Sequence, residues 1–166
     1  MDGRGTMSNP NIPRWVFASL TDLFKEVADD LTLHYFVEGV DEEEPEDFNQ
    51  NSALFRMNGP DVKLGGGTET HRLELQILLT NLPNNPSENA YEPYRWAGAF
   101  QDTMLGPLPI YKYGDGPEDD QSLIGCLEPD PNILDYVRIV SYGQIDKTSR
   151  VRQLSVNGRF VLQLNL

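Results

Sequence analysis

From Pro13 onward the apolar residues Trp15, Val16, Leu20, Leu23, Phe24, Val27, Ala28 and Leu31 recur at steps of three and four. That period gathers them on one face and predicts a helix over about 13–29. Pro13 suits its start, because the N–H that proline lacks has no partner in the first turn. Leu31, Leu33, Tyr35 and Val37 then alternate, which predicts a strand ending at Gly39. Ala53–Asn58 reads as a second strand, closed by a turn at Asn58-Gly59-Pro60, and Gly65-Gly66-Gly67 as a glycine turn. Within Glu69–Leu82, Leu73, Leu75, Ile77 and Leu79 alternate with Arg72, Glu74 and Gln76, the pattern of a half-buried strand. Leu78 breaks the alternation, so the end of this strand is expected to be buried on both faces.

The Asn- and Pro-rich stretch 83–90 is a loop by its turn chemistry. Tyr94, Ala97, Phe100, Gln101 and Met104 return to helical spacing, with Trp96 and Phe100 an i,i+4 pair. They predict a second helix near 91–104, stopped by Gly106-Pro107. Short strands are expected at Ile110–Tyr113 and Ser122–Leu127. Two longer antiparallel ones follow, Asp135–Asp146 and Val151–Leu166, joined by a turn at Lys147–Arg150. In the last, Val156, Gly158, Phe160, Leu162 and Leu164 line one face. The predicted fold class is α+β: about six strands, mostly antiparallel, with two helices packed on one face. Residues 1–12 read as a flexible leader, in which Met7 offers an alternative start. Residues 13–166 read as one domain with long acidic loops at 40–52 and 114–132.

Composition narrows the function classes. Of 166 residues, 26 are Asp or Glu and 13 are Lys or Arg, a formal net charge of −13. Such a surface does not coat nucleic acid, which requires clustered cations. It does not exclude transient contact with DNA that must slide past without sticking. No apolar run approaches the roughly 20 residues of a membrane span, and the polar Met1–Pro10 has no signal-peptide apolar core. Cys126 is the single cysteine, which excludes an internal disulfide and favours a reducing compartment.

The motifs of common chemistries are missing. Gly65-Gly66-Gly67 is followed by Thr68-Glu69 and lacks the lysine of a phosphate loop. His34 and His71 fall on two different strands without metal-ligand spacing. Cys126, between Gly125 and Leu127, reads as a buried, inert thiol. Trp15 and Trp96 read as core or interface aromatics. Asp41–Asp47 and the group Asp115, Glu118, Asp119 and Asp120 are dense in carboxylates but do not form an EF-hand. They read as solvated loops. No catalytic, cofactor or metal residue is assigned, and the chain is expected not to be an enzyme.

Three features point to a macromolecular partner. Long terminal strands offer edges that a monomer would leave open. The loops are long and biased in composition. Acidic loops also contrast with Lys147, Arg150 and Arg152 near the final hairpin, a polarity able to set the register of a head-to-tail ring.

The element order resembles that of tail-terminator and related neck proteins of tailed bacteriophages. The resemblance rests on the helix from Pro13-Arg14-Trp15 to Asp30, the strand His71–Leu79, the helix around Tyr94–Met104 and the closing strand Gln153–Leu164. It covers roughly residues 13–166, as a pattern without a diagnostic signature. It implies a virion structural subunit, made in the host cytoplasm, that caps the head-proximal end of the tail tube as a homohexameric ring. The implied partners are further copies of itself, the tail tube protein, the neck or head–tail connector proteins, and DNA passing through the channel without specific binding. No membrane and no cofactor are implied. The long segments Glu38–Asp47 and Gly114–Asp130 depart from a compact terminator. Alternatives are another neck component, such as a head–tail adaptor or stopper, a small carboxylate-dependent or divalent-metal enzyme using the acidic loops, and an adaptor that binds an extended peptide.

Overall fold

The computed structural model describes residues 9–40, 51–82, 91–113, 121–144 and 151–165. The predicted first helix is α1, Ile12–Asp30, and its buried positions Trp15, Val16, Leu20, Phe24 and Ala28 follow the spacing read from the sequence. Strand β1 (His34–Val37) comes next, then β2 (Ser52–Gly65) and β3 (Thr68–Asn81). Helix α2 spans Glu92–Leu105, and β4 (Leu108–Tyr111), β5 (Leu123–Pro129), β6 (Val137–Gln144) and β7 (Arg152–Asn165) complete the order. The class is α+β, with seven strands in a mostly antiparallel sheet. The exception is β1, which runs parallel to β2.

The sheet is uneven, and its unevenness shapes the molecule. Strands β2, β3 and β7 pair along their whole lengths, from Ser52–Thr80 at one end to Gly65–Thr68–Asn165 at the other. The far edge of β7 is shared: β6 pairs with Arg152–Gly158, and β5 with Phe160 and Val161. One end of the sheet therefore reads β1-β2-β3-β7-β6, and the other reads β2-β3-β7-β5-β4. Each central strand alternates inward and outward side chains. Leu73, Leu75, Ile77 and Leu79 of β3 accordingly join Ala53 and Phe55 of β2 and Leu154, Val156 and Phe160 of β7 in one buried layer.

Both helices cover that layer. Phe24 of α1, fully buried, lies 5.2 Å from the Phe55 ring and 6.1 Å from the Phe100 ring of α2. It thus ties both helices to the sheet. Trp15 and Trp96 are buried as expected. The inward face of α2 is Pro93, Trp96, Ala97, Phe100 and Met104, so Tyr94, half a turn off that stripe, is exposed.

Some local expectations change. The turn expected at Asn58-Gly59-Pro60 is a bulge, and β2 continues through it to Gly65. Gly59 takes φ +95° and Pro60 follows a cis peptide. The unpaired outer edge tolerates a residue without an N–H, so turn-forming residues do not end the strand. The glycine turn lies where it was expected and is two residues long, Gly66-Gly67, both at positive φ, which matches the twist of a tight hairpin. Strand β4 lies two residues earlier than expected because Leu108 and Ile110 are its buried pair. Cys126 is exposed, not buried. It alternates with Leu127, and it is Leu127 that β5 turns into the core.

Candidate functional site

With both helices on one side, the opposite face of β2, β3, β7 and β6 stays open. Even-numbered residues of β3 and their register partners project there and form a row of polar side chains across four strands. Arg56 donates to Gln76 Oε1 at 3.2 Å, Gln76 Nε2 to Asn157 Oδ1 at 3.0 Å, and Asn157 Nδ2 to Ser155 Oγ at 2.8 Å. The Tyr142 hydroxyl shares a hydrogen bond with Ser155 Oγ at 3.1 Å. Cross-strand pairing explains the row: Arg56 faces Gln76, and Gln76 faces Asn157. Hydrogen bonds between amides hold each side chain in one orientation and leave the rest of its donors and acceptors for a partner.

Charged residues flank the row in pairs. Arg56, half-buried, pairs with the exposed Glu38, and Arg159 with Glu74 at 3.3 Å, both exposed. Arg138, exposed on β6, stands opposite Asn157. The loop between β5 and β6 forms one wall. It is tied to β7 by the Asp130 N–H on the Arg159 carbonyl (3.1 Å) and the Arg159 N–H on the Tyr136 carbonyl (2.8 Å). At its tip Leu134 is 100% exposed. Loop and sheet enclose an open concavity of about 1070 Å³. Its floor of amides and guanidinium groups suits hydrogen bonding with an extended polar chain.

A second polar feature lies on the helix side. Glu69 and His71 project from β3 in phase with Leu73 and Leu75, at 2% and 0% exposure. The His71 Nε2 contacts Glu69 Oε1, and His71 Nδ1 has no hydrogen-bond partner. Buried polar groups are costly unless paired, and here each is the side-chain partner of the other.

The histidines singled out in the sequence are not brought together. His34 is exposed on β1 and stacks on Phe36 at 4.4 Å, whereas His71 belongs to the buried pair. Asp41–Asp47, Asp115, Glu118, Asp119, Asp120, Lys147 and Arg150 lie outside the described residues. Among the described residues no three His, Cys, Asp or Glu side chains are placed to hold a metal ion, and no helix is long and apolar enough to cross a membrane.

Sequence reasoning missed both polar features. The Glu69–His71 pair had a signal: carrying the Leu73–Leu79 alternation back four residues turns both inward. The row from Arg56 to Tyr142 had none, since it depends on register between strands distant in sequence. No family model matches the chain, and no curated protein matches it.

Proposed function

We propose that this chain is a structural subunit of a phage tail or neck, acting as a tail terminator that forms a ring on the head-proximal end of the tail tube. The observation that carries the reading is the sheet's uncovered edge. Strand β1 covers only Ser52–Phe55 of β2, and among the described residues nothing pairs with the outer edge from Arg56 to Gly65. An edge of that length is a liability in a free monomer and an asset in a subunit that continues its sheet into a neighbour. The net charge of −13 supports the same role, because repeating it around a channel repels DNA phosphates as they pass. The open polar face offers a second surface, toward the tube or the neck.

The test is functional capping. Tail tube protein polymerised with this chain should give tubes of limited length carrying the chain at one end, visible by immunogold labelling. Tubes that grow to the same length with and without it, and carry no label, contradict the proposal. A head–tail adaptor or stopper would instead label neck complexes and leave tube length unchanged.

A further inference from the structure

We infer that the free edge of β2 pairs with the free edge of β6 from a second copy of this chain, so that one repeated contact joins the sheets head to tail. The inference deepens the self-association in the reading above by naming the surfaces that meet.

Among the described residues the sheet has four outer edges, of which one is closed and one is short. The outer edge of β4 is capped by α1, where the Ser19 hydroxyl accepts from the Tyr111 N–H at 2.9 Å and lies 3.4 Å from the Tyr111 carbonyl oxygen. Strand β1 is only four residues long, His34–Val37. The two long ones left open among the described residues are β2 beyond Phe55 and the side of β6 away from β7. They lie on opposite sides of the sheet and at opposite ends of it.

Direction and chemistry both suit a match. Strand β2 runs parallel to β7, since each is antiparallel to β3, and β6 is antiparallel to β7. A neighbour in the same orientation therefore offers β6 antiparallel to β2. On the helix side β2 exposes Val62 and Leu64, at 47% and 45%, and β6 carries the half-buried Val137 and Ile139. On the open side β2 carries the exposed Asp61 and β6 the exposed Arg138, opposite Arg72 and Asn157 respectively. Neither Asp61 nor Arg138 has an ion-pair partner among the described residues. Joined sheets would thus place apolar beside apolar on one face and opposite charges on the other.

The stagger between the two edges is also informative. Neighbours joined this way are displaced along the strands, as strands in a closed barrel are. The contact uses different surfaces on the two partners, so it closes into a ring when the rotation closes. A two-fold contact of β2 with β2 would leave both β6 edges open, whereas the β2–β6 contact covers both long open edges of the described residues with one interface.

The experiment combines charge exchange with hydrogen exchange on the full chain. D61R and R138D should each weaken self-association by about tenfold in sedimentation, since each turns an attractive cross-strand pair into a repulsive one. The double exchange should restore it. V62K should weaken it without changing the thermal midpoint of the monomer. Amides of Asp61–Gly65 and Val137–Gln144 should both gain protection on assembly. Assembly that leaves both segments unprotected, or that ignores the charge exchanges, overturns the inference while leaving a ring on the tail possible by other surfaces. Dimers protected at β2 alone identify the two-fold contact and also overturn it, as does a chain that stays monomeric at its highest soluble concentration. Assemblies that respond to the exchanges but never cap tubes keep the edge pairing and reject the tail role.

Discussion

Replacing His71 with leucine removes the one side-chain partner that Glu69 Oε1 has among the described residues. Both residues are almost fully buried, at 0% and 2% exposure. Their register neighbours are Val62 and Leu64 on β2 and Leu162 and Leu164 on β7, all apolar. A carboxylate left there without its imidazole costs about 3–5 kcal/mol. Glu69→Leu leaves an imidazole with neither nitrogen bonded, at about 1–3 kcal/mol. Replacing both extends the leucine stripe of β3 by two positions and should fall within about 1 kcal/mol of the parent or exceed it. The two single losses are therefore not additive, and the coupling is at least about 3 kcal/mol. Urea unfolding followed by fluorescence of the buried Trp15 and Trp96 reads all four proteins. With a slope near 2 kcal/mol per molar, H71L should lower the midpoint by about 1.5–2.5 M. Singles that cost under about 1 kcal/mol, or a double loss equal to their sum, would refute the coupled buried pair.

Other perturbations test neighbouring parts. Phe24→Ala removes the ring between Phe55 and Phe100 and should cost about 3–5 kcal/mol; a loss under about 1 kcal/mol in the same assay would contradict the shared core. At Gly59, φ is +95° and an added Cβ would sit 2.8 Å from the Arg72 carbonyl oxygen. Gly59→Ala should therefore cost about 1–3 kcal/mol, or roughly 2–12 °C of thermal midpoint. Gly65→Ala, where a Cβ meets nothing, should leave the midpoint within about 2 °C. Arg95, hydrogen-bonded to Glu92 at the start of α2, holds the Glu92 carboxyl below its usual range. Its contribution is thus present above the ordinary carboxylate value and is lost as pH falls through the lowered one. The pair is exposed, so Glu92→Gln should change stability only by a few tenths of a kcal/mol at pH 7. A larger effect in pH-dependent unfolding would contradict a solvent-screened pair.

How far the sequence revealed the fold depended on whether the information was local. The spacing of Trp15, Val16, Leu20 and Phe24 is a property of one segment, and it gave α1 to within a residue or so of its bounds. The alternation from Leu73 to Leu79 did the same for β3, and the glycine run marked the hairpin. Gly59-Pro60 misled because turn chemistry was read without knowing that β2 has an open side there, where a bulge replaces a turn. The parallel pairing of β1 with β2 is a relation between segments, so no single segment shows it. Cys126 sits in an apolar run that inward and outward faces share, and only the burial of Leu127 decides which way it points. For the same reason the polar row from Arg56 through Gln76 and Asn157 to Tyr142 was invisible before the register was known.

Native mass spectrometry with negative-stain imaging of the same sample decides whether this chain assembles into a ring. A tail terminator should give a single closed oligomer, six-membered and with an open centre. A sharp monomer peak that neither concentration nor added tail tubes converts into rings would contradict it.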